Sequence, residues 1–276
     1  MTAPLRSLND GNSLPQLGLG TYQLNDGAGV AAMVGALESG YRLLDSAVNY
    51  GNEEAVGEAL RRSGVDRSDV SVTTKVPGRD HGFDETLASI SGSLDRLGLD
   101  WVDLHLIHWP NPSVDRYVDA WRAMIKAREH GMVRSIGVSN FTIAHLERLI
   151  DETGVVPAVN QVELHPYFPQ GDQRAFHAEH GIATESWSPL ARRTELLAEP
   201  VITEIADGHG RTPTQVVLRW HVQLGSIPIP KSADATRQRE NLDVFGFTLA
   251  PDEVEAISGL ERGRLWDGDP DTHEEM

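Results

Sequence analysis

The chain has 276 residues and no cysteine, with 24 Lys and Arg against 41 Asp and Glu for a formal net charge of -17. The missing thiols exclude disulfides, thiolate metal sites and a cysteine nucleophile. The acidic balance argues against DNA or RNA as a partner, because phosphate backbones demand basic patches.

Neither the start, Met1–Gln16, nor any later run has the apolar length of a signal peptide core or a membrane span. A soluble cytoplasmic protein with no membrane association is therefore expected. The absence of long heptads predicts a monomer. In chain order, Leu5–Gln16 carries Asn9-Asp10-Gly11, a hairpin turn between two short segments. Leu17–Gly20 reads as a strand and Gly27–Ser39 as a helix ended by Gly40. Tyr41–Asp45 is the second strand, followed by a helix over Asn52–Arg62 that Gly64 stops. Val70–Lys75 alternates as a third strand, and Leu87, Ile90, Leu94 and Leu97 mark the core stripe of the next helix.

Trp101–His108 is a fourth strand with a helix over Ser113–His130, and Ser135–Ser139 is a fifth. Thr142 opens the following helix as its N-cap, with Ile143, Leu146, Leu149 and Ile150 on one face. Ala158–Glu163 and Ile182–Trp187 are strands six and seven. Thr212-Pro213, an N-cap followed by proline at the first helical position, starts a helix running to Leu224. Ser226–Ile229 is the eighth strand, and helices begin near Ala235 and at Pro251. Alternating strand–helix units predict a parallel sheet, since parallel neighbours need crossover helices. No linker divides the chain. The expectation is a single (β/α)8 TIM barrel over 1–276 (α/β class) with an N-terminal hairpin, a mobile tail from Asp267 to Met276, and extra helices outside the barrel. The longest interval, Trp187 to Lys231, is where one such helix belongs.

In a barrel of this kind, strand carboxyl ends and the loops after them share one site. Those positions hold Tyr22, Asp45 with Tyr50, Lys75, His108 with Trp109, Ser139-Asn140, Gln161, Trp187-Ser188 and Lys231-Ser232. Singly, each has a plain structural reading: Asp45 and Asn140 as helix caps, Lys75 as a surface lysine, Trp187 as packing. Their convergence on one rim favours a site. No G-x-G-x-x-G follows a strand, which leaves a Rossmann cofactor site unsupported. No metal site is expected, because His105 and His108 alternate poorly for a shared ion and H-E-x-x-H is absent. The sequon at Asn140-Phe141-Thr142 is a chance match on a rim-facing asparagine.

Several segments together resemble the aldo-keto reductase superfamily: Gly18-Leu19-Gly20-Thr21, Asp45-Ser46-Ala47, Tyr50-Gly51-Asn52-Glu53, Lys75, Leu106-Ile107-His108-Trp109-Pro110, Gly137-Val138-Ser139-Asn140-Phe141, Ser188-Pro189-Leu190 and Ile229-Pro230-Lys231-Ser232. Glu185-Ser186-Trp187 and Glu240-Asn241-Leu242-Asp243-Val244-Phe245 are similar to bacterial members of the 2,5-diketo-D-gluconate reductase type. Ser46 stands where threonine is common, and Trp187 where many relatives have tyrosine.

The resemblance implies NADPH-dependent reduction of an aldehyde or ketone, with dicarbonyls and keto-sugar acids among the candidate substrates. Tyr50 would give the proton, Lys75 would tune it, Asp45 would keep Lys75 charged, and His108 would polarise the carbonyl. A lysine ammonium ~4 Å away favours phenolate by up to about 4 kcal/mol at an effective dielectric of about 20, so Tyr50 is expected to be drawn below its usual value near 10. Ser139, Asn140 and Gln161 would hold the nicotinamide carboxamide against Trp187. Ser188 and Leu190 would line the cofactor groove. Lys231, Ser232 and Arg237 would take the 2′-phosphate, with Glu240 and Asn241 near the adenine. Asp234 weighs against strict NADP preference, and Arg192 and Arg193 are candidates for the pyrophosphate or for solvent. The loop after Ser188 reads as short, leaving an open groove. Tyr22, Trp109 and Trp266 are expected to wall the substrate pocket. Two alternatives remain: a Schiff-base lyase or aldolase using Lys75, and a non-catalytic NADPH-binding sensor subunit.

Overall fold

A computed structural model describes residues 2–266 and 268–275. Strands β1 (Leu5–Ser7) and β2 (Ser13–Pro15) pair antiparallel around the predicted turn. The next eight strands are β3 (Leu19–Gly20), β4 (Leu43–Asp45), β5 (Ser71–Val76), β6 (Val102–Ile107), β7 (Val133–Ser139), β8 (Val159–Glu163), β9 (Ala183–Trp187) and β10 (Ser226–Pro228). They lie side by side in sequence order, and every adjacent pair is parallel. Gly18 N and Gly20 N donate to Pro228 O (3.0 Å) and Pro230 O (3.2 Å), joining the first strand to the last. This is the predicted (β/α)8 architecture.

Side chains alternate along each strand, and that alternation sorts the barrel interior. Leu43, Leu104, Leu106, Val159, Ala183, Ile227 and Ile229 form one buried cluster with Leu8 and Leu14 of the hairpin segment. The hairpin thus covers one end of the barrel. Two residues further along the same faces come Asp45, His108, Gln161 and Glu185 at the other end. The functional positions therefore sit on top of a packed apolar plug rather than in an open pore.

The surrounding helices are α1 (Gly27–Ser39), α2 (Glu53–Ser63), α3 (Phe83–Leu97), α4 (Tyr117–Glu129), α5 (Ile143–Thr153), α6 (Gly171–Glu179), α7 (Pro200–His209), α8 (Pro213–Gln223), α9 (Ala235–Leu242) and α10 (Pro251–Ser258). α8 starts as predicted: Thr212 Oγ1 accepts from Gln215 N (3.3 Å), while Thr212 N donates to Gln215 Oε1 (3.0 Å). This reciprocal pair satisfies two otherwise orphaned N–H groups. α7 is the additional helix in the long Trp187–Lys231 interval. α4 begins four residues later than predicted, because Asn111 and Asp115 adopt positive φ (49° and 50°) and hold the preceding segment as a turn. α2 and α3 approach closely at Gly57, where any Cβ would fall on the carbonyl oxygen of Leu97.

Candidate active site

Asp45 ends β4, and the chain then makes a short 3-10 turn over Val48–Tyr50. Gly51 takes the left-handed conformation (φ 63°), and Asn52 ties the turn down. Its amide donates to Thr21 O (2.7 Å) and its carbonyl accepts from Ser46 Oγ (2.7 Å), with Asn52 buried. Asn52 is the N-cap residue of α2 by position, but its side chain is spent on aiming the Tyr50 loop. The Tyr50 ring then meets Tyr22 (centroids 5.2 Å apart) and His108 (5.8 Å) edge-on.

Lys75, on β5 beside β4, is wholly buried. A buried ammonium is tolerable only when its three protons are bonded. Here Nζ donates to both Asp45 carboxylate oxygens (2.8 Å each) and to Ser46 O (2.7 Å), and it stands 5.0 Å from the Tyr50 ring centroid. Burial opposes the charge, but the Asp45 carboxylate outweighs it with help from Tyr50, and the Lys75 pKa is raised. Lys75 is thus an ammonium.

Tyr50 corrects one expectation. Burial raises its pKa more than Lys75 lowers it, with Asp45 adding to the rise, and the phenol is pushed up to about 12. The Lys75 ammonium is legible in the sequence, whereas the water lost around the buried phenol is not. At neutral pH Tyr50 therefore carries its proton.

Asp45, Tyr50 and His108 open onto a cavity of about 820 Å³ lined also by Gly20, Tyr22, Trp109, Ser139, Asn140, Gln161, Trp187, Ser188, Leu190 and Lys231, while Lys75 lies buried behind them. Asn140 has positive φ (63°) at the end of β7. Its Nδ2 donates to His108 O (3.0 Å) and Ser139 Oγ (3.1 Å), and its Oδ1 accepts from the Trp187 indole N–H (2.7 Å). These bonds hold the indole and the amide in fixed relation. Gln161 Nε2 donates inward to Asp45 Oδ1 (2.9 Å) and Glu185 Oε2 (2.7 Å). With both N–H groups used, its carbonyl oxygen is left to accept. A flat indole, amide groups from two strands and a large mostly apolar cavity fit a nicotinamide and its carboxamide. Gly20 permits the close approach of this rim: a Cβ there would come 3.0 Å from Ile229 O and 3.6 Å from Lys231 Cβ.

Ser232, Arg237, Glu240 and Asn241 lie beyond the cavity lining, before and along α9. Arg237 is exposed, with its guanidinium 3.9 Å from the Asp234 carboxylate. That carboxylate caps α9 by accepting from Arg237 N (2.9 Å), which holds it below the usual carboxylate range. Asn241 is buried, with its side chain hydrogen-bonded to that of Tyr41. The loop after β9 contributes more wall than expected, through Arg192, Arg193, Thr194, Glu195, Leu197 and Ala198.

The tail differs most from expectation. Residues 268–275, predicted to be mobile, fold back over the site; Asp267 and Met276 lie outside the described residues. Glu163, buried at the end of β8, accepts from Leu265 N (2.9 Å). Trp266 packs against Trp187 (5.6 Å) and His165 (5.8 Å), beside the cavity wall rather than across it. Farther along, His273 lies against Trp109 (4.1 Å), and Glu274 accepts from Ser113 N (2.7 Å). Glu275 Oε1 then approaches His108 Nδ1 (2.7 Å) and accepts from Asn49 Nδ2 (2.8 Å). Burial disfavours the Glu275 carboxylate, yet its contacts with His108 and Asn49 hold it below the usual range. Glu275, Asn49, Asn111 and Glu185 were not singled out from sequence. Only Glu185 left a trace there, as an acidic residue at an inward strand position two before Trp187. Among the described residues, no group of three or more acidic or histidine side chains is placed to hold a metal, and no helix is long and apolar enough to cross a membrane.

The sequence model of the aldo/keto reductase family matches residues 16–262. A protein of Corynebacterium sp. (strain SHS752001) named 2,5-diketo-D-gluconic acid reductase B is 71% identical over 273 residues, spanning 99% of each chain. An aldo-keto reductase of Mycobacterium sp. (strain KMS) is 51% identical over 272 residues, or 99% of this chain and 98% of that one. Among solved structures, a point mutant of Gox0644 in complex with NADPH superposes with a TM-score of 0.94 at 44% identity, covering 99% of this chain and 100% of that one. An aldo/keto reductase from Brucella melitensis gives 0.91 at 50% identity, covering 94% and 100%. The cavity, its polar floor and these likenesses together mean that the chain belongs to the aldo/keto reductase family, as an NADPH-dependent oxidoreductase of carbonyl compounds.

Proposed function

We propose that the chain reduces a dicarbonyl or keto-sugar acid to the corresponding alcohol, with Tyr50 as proton donor. The observation that carries this is the buried Asp45–Lys75 pair set directly behind a protonated Tyr50, with His108 edge-on to the same ring. NADPH, when bound, supplies the hydride. The chain's own groups handle the oxygen. Tyr50 gives its proton to the carbonyl oxygen, and the Lys75 ammonium stabilises the phenolate this leaves. Asp45 holds that ammonium in place, and His108 orients the carbonyl. Ser139, Asn140 and Gln161 would receive the carboxamide, Trp187 the ring, Ser188 and Leu190 the groove wall, and Lys231, Ser232 and Arg237 the 2′-phosphate.

The substrate class rests on the name of the 71% identical relative. Trp109 lines the cavity, and His273 of the tail packs against its ring (4.1 Å). Lys75 as a bonded ammonium disfavours a Schiff-base lyase, because a nucleophilic lysine must be neutral. A polar site complete in its proton-transfer groups disfavours an idle sensor. We infer that the chain works as one barrel domain, as a cytoplasmic monomer, without nucleic acid or membrane. NADPH consumption against simple aldehydes, α-dicarbonyls and keto-sugar acids tests the reading. The expected result is the highest kcat/KM for a dicarbonyl or keto-sugar acid. No consumption with any of the three classes would overturn it.

A further inference from the structure

Glu185 is wholly buried in the barrel, two residues before Trp187, and the steps outlined above make no use of it. β8 and β9 run in register so that Gln161 lies opposite Glu185. Gln161 Nε2 bridges the barrel between Glu185 Oε2 on one side (2.7 Å) and Asp45 Oδ1 on the other (2.9 Å). The reverse amide orientation would set a carbonyl oxygen against Asp45 and is disfavoured electrostatically. A primary amide has two N–H donors and one carbonyl acceptor. Once the two carboxyl groups have taken both donors, only an acceptor faces the cavity that Gln161 lines. The other Glu185 oxygen, Oε1, is buried with no hydrogen-bond partner among the described residues. A carboxyl group kept in so costly a place needs a reason beyond packing.

We propose that Glu185 is a positioning residue for cofactor selection: with Asp45 it locks the Gln161 amide so that its carbonyl oxygen accepts from the amino group of the nicotinamide carboxamide. The inference rests on the reading that Gln161 meets the carboxamide. Burial, seconded by the Asp45 charge, pushes the Glu185 pKa up to about 8, so near neutral pH the side chain is mainly an uncharged acid. Its carbonyl oxygen remains an acceptor in that form. A glutamine would supply the same acceptor, whereas a leucine or methionine of similar bulk would not.

The test compares binding of NADP+ with binding of its 3-acetylpyridine analogue, which has a carbonyl but no amino donor. Affinities are read from quenching of tryptophan fluorescence, and folding is checked by thermal melts. The wild-type protein is expected to prefer NADP+ by about fivefold, the worth of roughly one hydrogen bond. Glu185→Gln should keep that preference. Glu185→Met and Glu185→Leu, two acceptor-free variants of different shape, should lose most of it. A wild-type preference in either folded acceptor-free variant would overturn the proposal, because Asp45 alone would then orient the amide. Equal loss in Glu185→Gln would overturn it too, because the acceptor is retained there. No preference in the wild type would overturn it through the assignment of Gln161 itself. Turnover that survives Tyr50→Phe would instead strike the proton-donor reading and leave these binding ratios intact.

Discussion

Lys75 makes three bonds from its buried ammonium, and all three point away from solvent. Replacing it by methionine removes the charge that stabilises the Tyr50 phenolate and leaves Asp45 buried with its main partner gone. Loss of one member of a buried pair costs about 3–5 kcal/mol, and loss of proton-transfer support costs roughly 10²–10⁴-fold in rate. Lys75→Met should therefore melt at a lower temperature and turn over at least about a hundredfold more slowly. Adding Asp45→Asn should recover much of the melting temperature and none of the turnover. Thermal melts and kcat measured on the single and double variants check this. Turnover recovering together with stability would mean that the pair serves only the fold.

The elements show which features could be read in the sequence. Strand ends were legible because each apolar run stops at a polar residue, as at Leu43–Asp45, and the barrel requires those stops to share a rim. Caps such as Thr212 with Gln215 were legible because the chemistry is local. α6 was harder, since only His177 of its residues is buried and no apolar stripe announces it. The tail was illegible for a related reason. Its order comes from distant partners, Glu163 for Leu265 N, Ser113 for Glu274 and His108 for Glu275, and a Gly- and acid-rich segment reveals none of them. Its removal is informative. Deleting residues 269–276 should uncover Trp109 and free His108, raising KM for the best carbonyl substrate by roughly tenfold, about 1.4 kcal/mol of lost binding. NADPH affinity should change less. Steady-state KM and fluorescence quenching distinguish the two; an unchanged KM would mean that the tail rests on the site without shaping it.

At the scale of the molecule, buried titratable groups set the pH range of stability. Burial pushes His81 and His105 down to about 4 and His177 and His221 down to about 3. Each stays neutral in the fold while its unfolded counterpart takes a proton below about 6.5, so stability is fully present above that pH and falls as pH drops toward 4. The loss approaches about 1.4 kcal/mol per pH unit for each histidine. Glu185 acts in the opposite sense. Its folded pKa of about 8 lies above the usual carboxylate value, so it lowers stability progressively as pH rises from about 4.5 to 8. The melting temperature should thus fall steeply from pH 6.5 to 5, and the advantage of Glu185→Gln over wild type should widen from pH 5 to 8. Melts across that range check both; a flat acid limb would mean that these histidines are protonated inside the fold.

The proton held by Tyr50 at the floor of the cavity is central to the proposed reduction. The most direct measurement is Tyr50→Phe, followed by single-turnover oxidation of bound NADPH with a dicarbonyl substrate and by NADPH quenching of tryptophan fluorescence. The predicted result is turnover reduced by at least about a hundredfold with cofactor quenching and melting temperature close to wild type. Turnover near the wild-type rate in that folded, cofactor-binding variant would contradict the assignment of Tyr50 as proton donor.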